Sequence, residues 1–559
     1  MLDFGYVSSD SSPPDIDELM ASPILAFDVE GSGLNMGKDV PYGFSLAHKG
    51  TDAYYALMTH RPFLDLLADE SKLKVAHNAK YDRSMMKKAG IEINNLFCTM
   101  IAAYLIEEPF LSLKVLDSKY LNIYMATYPE LPKPPTAMTL HEMALFSGPH
   151  SVIALELKDI LENEMKRKMV ISVFHDIDMP LVPVLSDMEL NGVMVDQDAL
   201  AELGEYYNDK ISTLQSALEH HAGRKGINFN SPQQVSKLLY KELSVPPPPP
   251  WRGGAGEYPS VDKRYLKDIK KPHPIIPIYL KYKEYRTLKD SYVDSLRKQL
   301  VGGRIYASFN QTRAGTGRLS SSGPNLQKIP ARTEDGCKIR KAFIAPPGYT
   351  LVKADKDQLE LKMVAHCSQD PALLDAFRAG RDIHVETAKR VFNDENRRSD
   401  GKTKNYQLIY GGGPIKDQNM LFRAYPGVKV WMEDMALWMA STGYARTIFK
   451  RRRAVPEFEY LRGNKIPWQA REGLSTNVQG SSADVVKIEM RRVWEAIKNS
   501  DVKMLMQVHD ELVFQVPDGL IKEFVPVIQE LMTYNGLSIP LTTTVSTGKN
   551  WGEMEKWAK

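Results

Sequence analysis

Residues 398–413 read RSDGKTKNYQLIYGGG. Arg398, Lys402, Tyr406 and Tyr410 recur at every fourth position, so on a helix each is turned about 40° from the last and the four form one slowly winding stripe. Two cations and two aromatic rings then share a face. An apolar core stripe has no use for Arg and Lys, and a solvated face has little use for two tyrosines, so a triphosphate-binding surface fits the set better than either. Glycines 411–413 are expected to end the helix and let another chain approach closely.

Apolar runs on either side of this helix each deliver a carboxylate. Residues 351–366, LVKADKDQLELKMVAH, place Asp355 at the end of a strand-like run, and residues 507–516, QVHDELVFQV, do the same for Asp510. Either aspartate alone reads as a turn or cap residue. Two carboxylates from separate segments suit a two-metal site, in which cations about 3.5–4 Å apart activate an attacking hydroxyl and stabilise a leaving phosphate oxygen. With the cationic stripe between them in the chain, the pair points to phosphoryl transfer.

Composition bounds the remainder. The chain has 559 residues, 43% hydrophobic and 25% charged, enough for several domains with sizeable cores. Its first twenty residues, MLDFGYVSSDSSPPDIDELM, are acidic and Pro/Ser-rich and carry no export signal, and no run approaches the ~18 apolar residues of a membrane span. A cytoplasmic location without membrane contact is expected. Cys98, Cys337 and Cys367 are odd in number and far apart, which argues against a disulfide framework or a cysteine zinc site. Net charge is only +3, but residues 261–345 hold 19 Lys/Arg against 7 Asp/Glu, whereas residues 1–160 hold 13 against 21. The central block can neutralise phosphates, and the acidic first block can hold metal.

Punctuation and period divide the chain. Residues 23–34, PILAFDVEGSGL, read as a buried strand ending in a turn, and residues 72–90, KLKVAHNAKYDRSMMKKAG, as a strand passing through a polar loop into a helix. An α/β domain is expected to about residue 172, after an N-terminal tail. Residues 173–300 are helical in pattern, interrupted at 245–256 by VPPPPPWRGGAG, which reads as an irregular surface loop or linker. From about 301 onward strands and long helices alternate without an internal repeat.

TGRLSSSGPNLQKIP (316–330), DKDQLELK (355–362), GRDIHVETA (380–388), RSDGKTKNYQLIYG (398–411), VQGSSAD (478–484) and QVHDELVF (507–514) stand in the order of the motifs of family A, polymerase I-like DNA polymerases, which the chain resembles over nearly all of 305–559. Residues 173–196, VFHDIDMPLVPVLSDMELNGVMVD, and 282–296, YKEYRTLKDSYVDSL, are similar to that family's approach to palm and thumb. FDVEGSGL (27–34) and HNAKYDR (77–83) resemble its proofreading exonuclease. The resemblance implies an α/β multidomain chain: an α/β ribonuclease H-like exonuclease domain followed by a right-hand polymerase. The division expected is tail 1–22, exonuclease 23–172, lead-in to the palm 173–196, thumb 197–300, palm 301–357, fingers 358–479 and palm 480–559. The 5′-nuclease domain of many cellular members has no counterpart here, which is compatible with a phage or organelle source.

Carried over residue by residue, the resemblance makes Asp355 and Asp510 metal ligands with Glu511 a weaker partner beside them. Arg398, Lys402 and His384 would hold the triphosphate, Lys402 also stabilising or protonating the pyrophosphate. Tyr406 would face the sugar, Glu360 would stand where a 2′-hydroxyl collides, and Tyr410 would be the ring at the hinge end of the fingers helix. Arg318, Asn325, Gln327, Gln479, Gln507 and His509 match positions that contact the primer–template duplex and primer end, where minor-groove acceptors report pair geometry rather than sequence. Two Mg²⁺ per polymerase site, replaceable by Mn²⁺, are implied as cofactors. The implied partners are primer–template DNA and deoxynucleoside triphosphates, with replication accessory proteins as further candidates. Lys362 and Ser475 depart from the family pattern, which has Arg and Asn there.

In the first domain, Asp28, Glu30 and Asp82 supply three of the four carboxylates of such an exonuclease site. The fourth motif, Tyr-x-x-x-Asp, falls on FSGPHSVIALEL (146–157), so Phe146 stands at the Tyr and His150 at the Asp, with Glu156 and Asp159 as alternative carboxylates. Imidazole binds divalent cations, but Mg²⁺ prefers hard oxygen, so reduced nuclease activity is expected. Two other readings stand beside polymerisation of DNA: a single-subunit RNA polymerase, which shares the palm, and a nuclease or non-catalytic DNA-binding protein. Glu360 and the HDE ending of the second aspartate motif resemble the DNA-making branch.

Overall fold

The structure, a computed structural model, describes residues 3–7, 13, 15–50, 52–123, 125, 130, 133–247, 259–269, 272–331, 333–410 and 415–558. Short apolar runs in the first hundred residues form six strands, β1 (Asp3–Val7), β2 (Ile24–Gly31), β3 (Pro41–Lys49), β4 (Asp52–Leu57), β5 (Leu73–Ala76) and β6 (Leu96–Cys98). Their spatial order is β1-β4-β3-β2-β5-β6. β2 is antiparallel to β3 and parallel to β5. Residues 3–7, expected as part of a tail, instead pair in parallel with β4. The DFGYV segment is rich in strand-forming residues and covers an edge that β4 would otherwise leave open. The helix Leu140–Arg167, its N-terminus closed by reciprocal Thr139 and Glu142 bonds, packs along β1 to β5.

A second apolar cluster, from Leu181 to Trp551, holds the rest of the chain together. At its centre is a five-stranded antiparallel sheet with the spatial order Lys503–Val508, Glu511–Pro517, Tyr349–Lys356, Thr543–Asn550, Glu553–Lys556. On one flank, the helix Gln197–Ala222, capped by Asp196 and ended by Gly223 at φ +70°, packs against Ile275–Thr287. On another, six described helices between Leu359 and Thr442 include Arg398–Tyr410, the helix predicted from the stripe. The proline run from Pro248 onward, Gly411–Gly413 and the side chain of Tyr410 lie outside the described residues. The three cysteines are free thiols. Among the described residues no helix is long and apolar enough to cross a membrane.

The two bodies meet at a buried ionic cluster. Arg451 is 2% exposed; its Nη1 donates to Asp178 Oδ2 at 2.7 Å, and its Nε and Nη2 donate to Asp484 Oδ1 at 2.9 and 2.7 Å. Lys487 donates to Asp178 Oδ1 at 2.7 Å, and Thr447 to Asp484 Oδ2 at 3.0 Å. Burial alone would raise the Asp178 carboxyl, but Arg451 and Lys487 hold it down at about 2. The four charged groups balance, two acids against two cations. Removing one member leaves an uncompensated buried charge, so Arg451→Met is expected to cost about 3–5 kcal/mol, read as a fall in the denaturant midpoint.

Candidate functional site

Asp355 is the penultimate residue of the strand Tyr349–Lys356 and lies directly opposite Glu511 in the antiparallel register. Asp510 occupies, with His509, the two-residue turn between Lys503–Val508 and Glu511–Pro517. His509 takes the left-handed conformation that so tight a turn demands, at φ +61°. The Lys356 amide donates to Asp510 O at 3.4 Å, so the two aspartates share one end of the sheet. Burial, reinforced by Asp355, pushes Asp510 up to about 6, and burial likewise raises Asp355. Among the described residues neither carboxylate has an ion-pair partner.

Glu511 differs. Burial raises it too, but the Trp551 indole N–H donates to its Oε1 at 2.8 Å, with Arg340 at 3.8 Å and Lys353 at 3.9 Å. The Arg340 guanidinium stacks 3.8 Å over the Trp551 ring. Nothing local in the sequence signalled Trp551 or Arg340, which come from separate segments of the C-terminal body.

A cleft of about 300 Å³ opens beside Asp510, lined by Arg318, Glu360, Tyr406, Gln507 and His509 among others. A smaller one, about 150 Å³, shares Glu360, Tyr406 and Asp510 and adds His384 and Asn405. Of the stripe, Arg398 and Lys402 are exposed and Tyr406 is 45% exposed. Arg398 pairs with Asp382 at 2.8 Å. Asn405, one place off the stripe and missed for that reason, donates from Nδ2 to Ile383 O at 3.2 Å and accepts at Oδ1 from Thr387. Its Nδ2 also lies 2.8 Å from His384 Nδ1, which makes that nitrogen the acceptor and leaves the His384 proton on Nε2. Burial lowers the His384 pKa, so the ring is a neutral donor. Gly401 explains itself by close approach: a Cβ there would lie 2.0 Å from His384 O.

The remaining expected contacts cluster around the same cleft. Arg318 forms an ion pair with Glu360. Gln327 accepts from the Ser321 amide at 3.2 Å and donates to Gln507 Oε1 at 2.8 Å, and Gln507 donates to His509 O. Burial, then Arg318 and Arg340, lower the His509 pKa. Asn325 Oδ1 is buried without a partner, and Gln479 is half-buried on the π-helical turn Thr476–Gly480. Lys362 donates to Thr542 at 2.9 Å, and Ser475 ends the helix Trp468–Ser475.

The second cluster lies in the first body. Asp28 and Glu30 project from β2 two residues apart, on one face. Asp82, on the helix Ala79–Lys88, accepts from the Val29 amide at 3.2 Å through Oδ1, while its buried Oδ2 has no partner. Burial, then Asp28, raise Asp82 well above the usual carboxylate range. His150 Nδ1 stands 3.0 Å from Asp28 Oδ2 and 3.8 Å from Glu30 Oε1, and the Phe146 ring meets the imidazole edge-on at 5.1 Å. Burial disfavours the imidazolium, but Asp28 outweighs it and raises the His150 pKa. Glu156 packs against Gly50, and Asp159 is exposed on Lys158, so neither supplies the missing carboxylate.

Residues 197–553 match the profile of DNA polymerase family A, and residues 13–166 that of the 3′–5′ exonuclease. The DNA polymerase I of Chloroflexus aurantiacus is 31% identical over 97% of this chain, and that of Pseudomonas aeruginosa 32% identical over 96%. The chain spans 62% and 64% of the length of these two relatives. The solved POL domain of Pol1 from M. smegmatis, in complex with DNA primer–template and dNTP, superposes with a TM-score of 0.87 at 28% identity, covering 97% of this chain and 99% of that one. The profile match over residues 197–553, the 31% identity to a polymerase I and the shared architecture place the chain in DNA polymerase family A, with a 3′–5′ exonuclease-type domain ahead of the polymerase fold.

Proposed function

We propose that the chain extends a DNA primer on a template, using deoxynucleoside triphosphates. The observation that carries this reading is the pair of half-buried aspartates at one end of the sheet, without ion-pair partners and both raised by burial, with Asp510 lining two clefts that Tyr406 also lines and with Arg398 and Lys402 next to His384 in the smaller one. Two half-buried carboxylates that repel each other suit divalent cations, and Asp355 and Asp510 would hold two Mg²⁺, or Mn²⁺ in their place. When bound, these cations would supply activation of the primer 3′-hydroxyl and stabilisation of charge on the leaving oxygen.

The protein's own part is position and charge. Arg398, Lys402 and the Nε2–H of His384 grip the triphosphate, and Lys402, exposed beside the cleft, donates a proton to the departing pyrophosphate. Glu511, turned toward Trp551 and Arg340, is the weaker metal partner. Tyr406 faces the sugar, and Glu360, held by Arg318, excludes a 2′-hydroxyl by volume. Gln327, Gln507 and His509 form a polar rail for the minor groove, with Arg318, Asn325 and Gln479 as further duplex contacts; the resemblance makes Tyr410 the ring at the hinge end of the fingers helix. The polymerase divides into thumb 197–300, fingers 358–479 and a palm of 301–357 and 480–559.

The N-terminal domain, which takes in β1 as well as residues 23–172, keeps the architecture of a 3′–5′ exonuclease with reduced activity. Asp28, Glu30 and His150 offer ligand atoms within 4.8 Å of one another, a set that fits a divalent cation, and Asp82 keeps its Oδ2 without a partner. His150 places an imidazole where a fourth carboxylate would add negative charge, and Phe146 lacks a hydroxyl to orient water.

Primer extension with deoxy- and ribonucleotides tests the main reading: extension with deoxynucleotides is expected, abolished by Asp355→Ala or Asp510→Ala with duplex affinity kept within several-fold, since binding rests on phosphate contacts. Substantial extension by either variant, or preference for ribonucleotides, would overturn it. A folded-state carboxyl near 6 means that the metal-free protein loses stability as pH rises from about 4 through 6. Asp510→Asn should therefore stabilise the metal-free protein at pH 8 by about 1–3 kcal/mol, with no gain below pH 4, in urea titrations with chelator. For the nuclease, Phe146→Tyr/His150→Asp should digest mismatched primers faster than the natural protein, with Asp28→Ala as the inactive control; equal rates would refute the impairment.

A further inference from the structure

Arg318 enters the polymerase cleft at the end of a turn that the exonuclease-type domain holds. Residues Ala314–Gly317 form a β-turn closed by Gly317 N–H to Ala314 O at 3.0 Å, with Gly317 at φ +81°. Tyr104, on the helix Thr99–Leu105, donates its hydroxyl to Ala314 O at 2.8 Å. Burial pushes this phenol up to about 12, so it remains a neutral donor.

The other sides of the turn are equally close. A Cβ on Gly317 would lie 2.6 Å from Arg451 Cδ and Nε, and one on Gly480 would lie 2.8 Å from Thr316 O. The turn is thus pinched between a phenol of the N-terminal domain, the buried Arg451 and the π-helical turn that carries Gln479. Earlier in the same segment, Lys80 of the N-terminal domain donates to Phe309 O at 2.8 Å. Arg318 follows Gly317 directly and reaches Glu360.

We propose that Tyr104 is a positioning residue for nucleotide addition: its hydroxyl fixes the 314–317 turn and so aims Arg318 into the polymerase cleft. The exonuclease-type domain then serves synthesis through a contact separate from its own carboxylates. The inference rests on the polymerase reading. Removing the hydroxyl leaves the turn's internal bond intact but frees it from a rigid wall, and a displaced Arg318 loses alignment where small errors are costly.

The test is Tyr104→Phe, which deletes one oxygen and little packing, read in single-nucleotide addition kinetics alone and in an Arg318→Ala background. A roughly three- to tenfold loss in kcat/KM is expected, as for one oriented hydrogen bond, with the melting temperature within about 2 °C. Tyr104→Phe should cost nothing further once Arg318 is gone. Glu107→Gln, which weakens another contact across the same boundary, to Arg452 and the Ala454 amide, should leave kcat/KM unchanged and keeps the proposal testable if Tyr104→Phe unfolds. Undiminished activity of Tyr104→Phe, a loss additive with Arg318→Ala, or an equal loss from Glu107→Gln would overturn the inference. Failure of the natural protein to extend primers would instead overturn the polymerase reading.

Discussion

Arg451 imposes the constraint around which both bodies are arranged. A guanidinium removed from water survives only if its donors are satisfied and its charge is balanced. Asp178 ends the π-helical segment Phe174–Asp178 leading out of the first body, whereas Asp484 lies in the first turn of the helix Ser481–Ile497 in the second. One side chain therefore fixes three segments at once: the lead-in from the N-terminal domain, the hairpin that carries Arg451 and the helix behind the cleft. Misplacing any of them strands a charge in the interior. Relative placement of the bodies is in this way tied to a requirement of hydrogen-bond geometry and charge balance that apolar packing does not impose.

The strand end that carries Asp355 is built on the opposite principle. Strand alternation sends Asp355 toward the cleft and its neighbour Lys356 toward the core, where Lys356 meets Glu489 at 2.5 Å and Leu541 O at 3.1 Å. The buried face of the strand is neutralised, and the cleft face retains its negative charge. The helix Arg398–Tyr410 presents its exposed cations next to His384. The unpaired carboxylates are the unfavourable element, and a polyanionic substrate with its counter-cations would relieve them.

Much of this was legible because the signals were periodic or local. The four-residue spacing of Arg398, Lys402 and Tyr406 was sufficient for their helix, and apolar runs ending in Asp355 and Asp510 were sufficient for their strands. Counting back from residues 173–196 located His150, which the fold sets against Asp28. What escaped was either too short or too distant in sequence. β1 is five residues inside a polar stretch, and its partner is about fifty residues away. Asn405 hides between stripe positions because its role is to orient His384, not to face solvent. Trp551 and Tyr104 act on groups 40 and 210 positions away, and no window of sequence contains such a relation.

Gly401 has a mechanical consequence. With the His384 carbonyl seated where a side chain would start, the helices Ile383–Phe392 and Arg398–Tyr410 cannot slide or roll past each other without collision or loss of contact. Asn405 clamps the same pair from the far side of the turn. The two helices therefore form one rigid unit that holds His384, Arg398 and Lys402 in fixed relation. Bending of this layer must take place outside the pair, and it moves the three side chains together rather than rearranging them.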